Sequence, residues 1–327
     1  MRTRRAPADA LWYPLYSKAL AGGHRPAGPF VLLCPAASAT LRRVVGEERA
    51  NLRDRPIGVF DSGLGGLTVV REIARAMPAE RVVYLGDSAR VPYGIKSPET
   101  IRRFALEDLA FLLGFDPKLI VVACNTASAA AIEQIIAASP VGVVDVIGPG
   151  AAAAVAVTDG LIGVVGTEAT VSSGAYRRAI AALDPAREVL ACACPLLVPI
   201  VEEGRDETDP IVLHVLCDYL RELQRRRPGA LILGCTHYPL LAGAIGKLMG
   251  PDVALVNSGQ AAALEVQRRL CSTDLENSRG DGALHCYTTD NPERFARLGE
   301  RFGGRRIDHV GYVGTDELGR KPTATSL

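Results

Sequence analysis

Two stretches of this chain, LIVVACNTASAAAI at 119–132 and ALILGCTHYPLLAGAI at 230–245, follow one pattern. In each, a β-rich apolar run ends in a small residue and a cysteine. Hydroxyl or amide side chains follow, and then small residues that read as a helix. The pattern sets Cys124 and Cys235 at the carboxyl ends of strands, the edge of an open α/β sheet where ligands bind. The two lie 111 residues apart. A second matched pair stands upstream: IGVFDSGLGG opens at Ile57 and IGVVGTEATV at Ile162, 105 residues further on. The chain reads as one half written twice, which predicts an α/β fold of two pseudo-symmetric domains with mostly parallel sheets and an active site between them. Halves packed about a pseudo-twofold would bring their strand ends face to face, one thiol on each side of whatever lies between. Inverting a stereocentre needs that geometry, because a proton leaves one face and another arrives at the opposite one.

Strands and helices alternate along most of the chain. A buried strand IGVF leads through the glycine-rich turn DSGLGG into a helix over 68–76, and a second strand covers 81–86. Ser97 and Pro98 are read as cap and first residue of a helix running through Leu113. A strand over 141–146 precedes GPGAAAAVAV, which turns into a helix. In the second half, TEATV is read as a turn, and a helix over 211–226 is read as placing Leu213, Leu216, Leu220 and Leu223 on one face. Residues 1–55 form a basic extension with one short helix over 40–52, expected to be poorly ordered. Residues 56–149 with 257–312 make a first α/β domain, 150–256 a second, and 313–327 a loose tail.

Across 327 residues the net charge is only +1, yet residues 1–55 carry ten Lys or Arg against four Asp or Glu, so a basic leader precedes a mildly acidic body. Nothing in that leader interleaves aromatics with basic residues as an RNA-binding segment would, and a leader or overextended start is the simpler reading. No apolar run approaches the roughly 20 residues a membrane span needs. The stretch PFVLLCPAASA resembles a signal segment only loosely and lies too far from the start. Eight cysteines in so long and aliphatic a chain (mean hydropathy +0.15) read as buried residues of a reducing cytoplasm rather than a disulfide framework.

Several residues could carry chemistry. Singly, Cys124 or Cys235 reads as a core cysteine; as a matched pair beside Asn125, Thr126, Thr236 and His237, they read as catalysts. A helix N-terminus beyond each thiol is expected to favour its thiolate. Asp61, ending the first strand, either caps the next helix or serves Cys124 as a carboxylate. His237, two residues from Cys235, either serves that thiol or is a surface residue or metal ligand, though no second His lies at ligand spacing. DSGLGG fails the GxGxxG fingerprint at Thr68 and is read as an anion-capturing turn. There is no phosphate-binding GxxxxGK motif, and none of the five lysines stands where a Schiff base with pyridoxal phosphate would be expected. Cys192 and Cys194 face one side of a strand, weak evidence for a metal.

GVFDSGLGGLTV, YLGDSARVPYGIKS, VVACNTASA, CPLLVPIVEEG and LGCTHYPLL, in that order, closely resemble the glutamate racemases over residues 57–310. The resemblance implies a cofactor-independent and metal-free cytoplasmic homodimer that acts on glutamate and supplies D-glutamate for peptidoglycan, with no membrane or nucleic-acid partner. It implies a two-base mechanism in which Cys124, served by Asp61, deprotonates D-glutamate and Cys235, served by His237, deprotonates L-glutamate. Substrate would be held by Asp61 and Ser62, Tyr93 and Gly94, Asn125 and Thr126, and Thr236 and His237, with Glu202 lining the second half of the site. The first 55 residues depart from the family pattern.

Overall fold

A computed structural model describes residues 51–307 and 309–319. Nearly all of the basic extension, the helix read over 40–52 save its last two residues, and the end of the C-terminal tail lie outside the described residues. Where described, residues 51–54 are helical and fastened to the body: Lys118 Nζ donates to the Arg53 carbonyl at 2.7 Å, and Arg55 pairs with Asp116 at 2.8 Å.

Among the described residues ten strands form two sheets, and every strand pairing is parallel. In the first half, β1 (Ile57–Asp61) leads to α1 (Leu67–Ala76), β2 (Val82–Gly86), α2 (Pro98–Leu113), β3 (Leu119–Val122), α3 (Asn125–Ala138), β4 (Gly142–Asp145) and α4 (Ile147–Val157). The second half runs β5 (Ile162–Gly166), α5 (Glu168–Ser172), α6 (Ala175–Leu183), β6 (Val189–Ala193), α7 (Leu197–Glu202), α8 (Pro210–Arg226), β7 (Ala230–Gly234), α9 (Ala242–Met249) and β8 (Ala254–Asn257). Then come α10 (Ser258–Thr273), β9 (Leu284–Thr288), α11 (Pro292–Gly303) and β10 (Val310–Tyr312).

Strand order is β10-β9-β2-β1-β3-β4 in one sheet and β6-β5-β7-β8 in the other. The block β2-β1-β3-β4 therefore repeats as β6-β5-β7-β8, the connectivity that the duplicated sequence predicts. The cysteines follow the equivalent strands β3 and β7. Every residue of β1, β2, β3, β5 and β7 is buried, as expected of parallel strands covered by helices on both faces. Helix α10 leaves the second sheet and packs on α1 and α4: Gln267 donates to the Ala76 carbonyl at 3.2 Å and Arg269 to that of Val143 at 2.8 Å. Among the described residues no helix is long and apolar enough to cross a membrane.

The GPGAAAAVAV stretch forms α4 as read, its proline in the first turn, where it lacks only an N–H that would have no helical partner. Two local readings change. TEATV is the short helix α5, capped by Thr167 Oγ1, which accepts from the Thr170 amide at 3.2 Å. In α8 the buried stripe is Val212, Leu216, Leu220 and Leu223, and Leu213 is exposed. Proline at its first position and Asp209 as cap do match the sequence signals.

Candidate active site

The turn after β1 is folded by its own carboxylate. Asp61 is fully buried, and its Oδ2 accepts from the amides of Gly63 (3.2 Å) and Gly66 (2.9 Å). Those two donors are therefore satisfied inside the turn. No side chain caps α1, so Asp61 is not its cap. Its other oxygen, Oδ1, is buried with no protein partner. A buried acceptor left unpaired is costly, and it marks where a donor from a ligand is wanted.

Cys124 sits just past β3 as the cap of α3, its sulfur accepting from the Ala127 amide at 3.4 Å while its thiol donates to Ser62 Oγ at 3.8 Å. Burial and then the negative charge of Asp61 push this thiol well above the ordinary range. That overrides the helix N-terminus expected to lower it. Asp61 itself is raised by burial, against the opposing charge of His237. The thiol and carboxyl thus disfavour carrying two negative charges at once. Next door, Asn125 Oδ1 accepts from the Tyr176 hydroxyl at 2.6 Å, and Asn125 Nδ2 is buried without a partner.

Cys235, just past β7, has the opposite kind of neighbour. Its sulfur lies 3.8 Å from His237 Nδ1, and His237 Nε2 lies 3.0 Å from Glu202 Oε1 at the end of α7. Burial works against a charged imidazole, but hydrogen bonds with Cys235 and Glu202 raise His237 to about 10. Glu202 is held low despite its burial, because it bonds and faces the imidazolium. So a buried cation, backed by a carboxylate, stands beside one thiol and a carboxyl beside the other. The Glu202 carboxylate faces the site through its bond to His237.

The two halves cross over each other. The turn after β1 reaches the second cysteine's loop: Thr68 Oγ1 donates to the Thr236 carbonyl at 2.9 Å. A Cβ added at Gly65 would lie 2.2 Å from Thr236 Oγ1 and 2.6 Å from the His237 ring. Conversely, the segment after β5 reaches the first: Thr126 Oγ1 is 2.9 Å from Thr167 Oγ1 and 3.3 Å from Thr170 Oγ1. A Cβ at Gly94 would meet Thr167 at 2.8 Å. Each half's first loop is seated on the other half's cysteine loop, and Asp61 beside Cys124 lies close enough to His237 beside Cys235 to feel its charge.

Tyr93 turns its side chain to a cluster of buried carboxylates. It is buried, and its hydroxyl donates to Asp108 Oδ2 at 3.0 Å and to Asp87. Arg90 joins the same carboxylates at 3.1 Å and 2.6 Å and also meets Glu107. The Asp87 amide donates to the Asp61 carbonyl at 3.0 Å, so the cluster anchors the Tyr93–Gly94 segment to the strand end that carries Asp61. Sequence reading did not single out Asp87, Arg90, Asp108, Thr167, Thr170 or Tyr176. For Thr167 and Thr170 a signal existed: GTEAT stands after β5 where DSGLGG stands after β1. Phe302 of α11 lies edge-on to the His237 ring, centroids 5.3 Å apart. Among the described residues no group of three or more His, Cys, Asp or Glu is placed to hold a metal ion.

Two buried thiols at equivalent strand ends, one against a carboxyl and one against an imidazolium, with unpaired polar atoms on Asp61 and Asn125, suit proton exchange on a small polar molecule. Residues 57–266 match the model of the Asp/Glu/hydantoin racemase family. A glutamate racemase from Geobacter metallireducens is 47% identical over 262 residues, covering 79% of this chain and 96% of the relative. A glutamate racemase isoform from Bacillus anthracis superposes with a TM-score of 0.77 at 40% identity, covering 80% and 98%. The glutamate racemase of Francisella tularensis, solved in complex with D-glutamate, gives 0.76 at 38% identity, covering 81% and 99%.

Proposed function

This chain belongs to the Asp/Glu/hydantoin racemase family, and on that premise we propose that it is a glutamate racemase, interconverting L- and D-glutamate with Cys124 and Cys235 as its two bases. The observation that supports this reading is the crossed seating of each half's first loop on the other half's cysteine loop.

Glutamate enters between the halves. Its ammonium group is matched in charge by Asp61, whose Oδ1 lacks a partner, and Asn125 Nδ2 is a free donor for a carboxylate oxygen. Ser62, Thr126 and Thr236 supply hydroxyls, and Tyr93 and Gly94 contribute through their backbone. For the L-enantiomer, Cys235 as thiolate removes the Cα proton while Cys124 delivers its own to the opposite face. His237, holding its proton up to about 10, offsets the charge that a thiolate places on Cys235. In the reverse direction Cys124 is the base: Asp61, its proton affinity raised by burial, accepts the thiol proton, and the ammonium group offsets the charge left on the thiolate. A general base of this kind supplies on the order of 10²–10⁴-fold, so N–H and hydroxyl donors around the developing carboxylate charge and exclusion of water must supply the rest.

D-Glutamate made this way serves peptidoglycan synthesis. A homodimer working in the cytoplasm, where reducing conditions keep both thiols free, completes the proposal; sedimentation equilibrium reads the oligomer. The direct test incubates the enzyme with L-glutamate, or separately L-aspartate, in D₂O without added cofactor. Deuterium at Cα with loss of optical rotation for glutamate is expected. Glutamate bound but unexchanged would sink the proposal.

A further inference from the structure

Outside the cleft, one pair of reactive groups is left without a role. Cys192 and Cys194 flank the end of β6 with their sulfurs 4.0 Å apart. Cys192 is half-buried and Cys194 fully buried. The Cys194 thiol donates to the Cys192 sulfur, which holds Cys192 below the usual thiol range, and the Cys192 thiol points at the Tyr219 carbonyl at 3.2 Å. An approachable thiol backed by a second one is the arrangement of an attacking and a resolving cysteine.

The pair is also wired to the cleft. The Cys194 carbonyl accepts from the Tyr238 hydroxyl at 2.8 Å, and Tyr238 directly follows His237. The Cys194 amide donates to the Gly166 carbonyl at 2.8 Å, at the end of β5. Helix α7 starts three residues after Cys194 and ends at Glu202, the partner of His237. Residues two apart on a strand have Cα atoms about 6.6 Å apart, near the upper end of what a disulfide spans. Bridging Cys192 and Cys194 therefore has to draw the β6–α7 turn inwards, against both of those backbone ties.

We propose that Cys192 and Cys194 form a modification site for small-molecule disulfides of the glutathione class, and that the resulting intrachain bridge shifts Glu202 and Tyr238 and so slows the Cys235 half of the reaction. The Cys192 thiolate attacks one sulfur of oxidised glutathione and expels one glutathione thiolate. Cys194 then gives up its proton and attacks the Cys192 sulfur of the mixed disulfide, expelling the second. Two protein thiols are oxidised to one disulfide, one glutathione disulfide is reduced to two thiols, and the two protein protons end on them.

The test treats the reduced full-length protein with oxidised glutathione in the presence of saturating glutamate, which shields Cys124 and Cys235, and then desalts it. A peptide spanning 192–194 that is lighter by two hydrogens is expected. A fall in racemisation of at least about tenfold, the scale of a displaced positioning group, should accompany it and be reversed by dithiothreitol. Cys192→Ser should match the parent before treatment and lose nothing after it; Cys192→Ala should do the same. The mass readout does not depend on the racemase reading, whereas the rate readout does. A stable glutathione adduct on Cys192 with no bridge, a bridge that leaves the rate unchanged, or an equal loss of rate in Cys192→Ser would each overturn the proposal.

Discussion

Cys124 and Cys235 follow equivalent strands of a repeated β-sheet unit, yet their surroundings have opposite electrical sense. Cys124 faces Asp61, and burial plus that carboxyl drive its thiol upward. Cys235 faces His237, which Glu202 helps to keep protonated. Duplication gives the positions, and divergence of the neighbours gives the roles. A symmetrical pair would give both thiols the same electrostatic surroundings, whereas here a carboxyl stands by one and an imidazolium by the other.

The sharpest way to break this comparison is to remove either sulfur. Cys124→Ala or Cys235→Ala should cut racemisation by at least about 10³-fold, near the range of a lost general base, while leaving deuterium exchange into one enantiomer only. Parent-like racemisation by both single variants would end the two-base reading. Next in size is Gly65→Ala, whose Cβ would press on Thr236 and His237. A drop of about 10- to 100-fold in kcat/KM is expected, as for a displacement of roughly 1 Å near the chemistry; an unchanged value would mean that the crossing is slack.

Glu202→Gln sharpens the contrast through pH. His237 is raised from 6.5 to about 10 when folded, so the stability it contributes is fully present below pH 6.5 and is lost as pH rises through about 10. The melting-temperature gap between parent and Glu202→Gln should be largest at pH 6 and should shrink towards pH 10. A gap that grows with pH would mean that the imidazole is not held charged. The smallest effects belong to the hydroxyls that bind the halves. Thr68→Val and Thr126→Val should each cost about 1 kcal/mol, seen as a 2–4 °C fall in Tm; a loss twice as large would make either one a principal clamp.

Much of this was legible in the chain because its signals are local. Strand, small residue, cysteine and helix follow one another within 14 residues in one half and 16 in the other, and the order of elements implies a parallel sheet. The remainder depends on distance in space. The fall of α8's buried stripe on Val212 rather than Leu213 could not be chosen by spacing alone, since both phases give a helical repeat. The upward push on Cys124 comes first from burial and then from Asp61, 63 positions earlier, whereas sequence alone suggested the helix terminus. Tyr93 stood in a motif, but its hydroxyl goes to Asp87 and Asp108. The crossing of Gly65 onto His237 spans 172 positions and leaves no local mark.

The last strands have a consequence for how such a protein is made. Strands β5–β8 come from one contiguous stretch, so the second sheet can close as soon as it leaves the ribosome. The first sheet cannot: β2 presents an open edge until β9 emerges at Leu284 and pairs with it. The same late segment brings Thr289 to Asp87 at 2.9 Å, Arg301 to the Val201 carbonyl at 3.2 Å, and Phe302 against His237. A nascent chain stalled short of that point holds both sulfurs and most of a fold, but it exposes a sticky border and lacks one wall of the cleft.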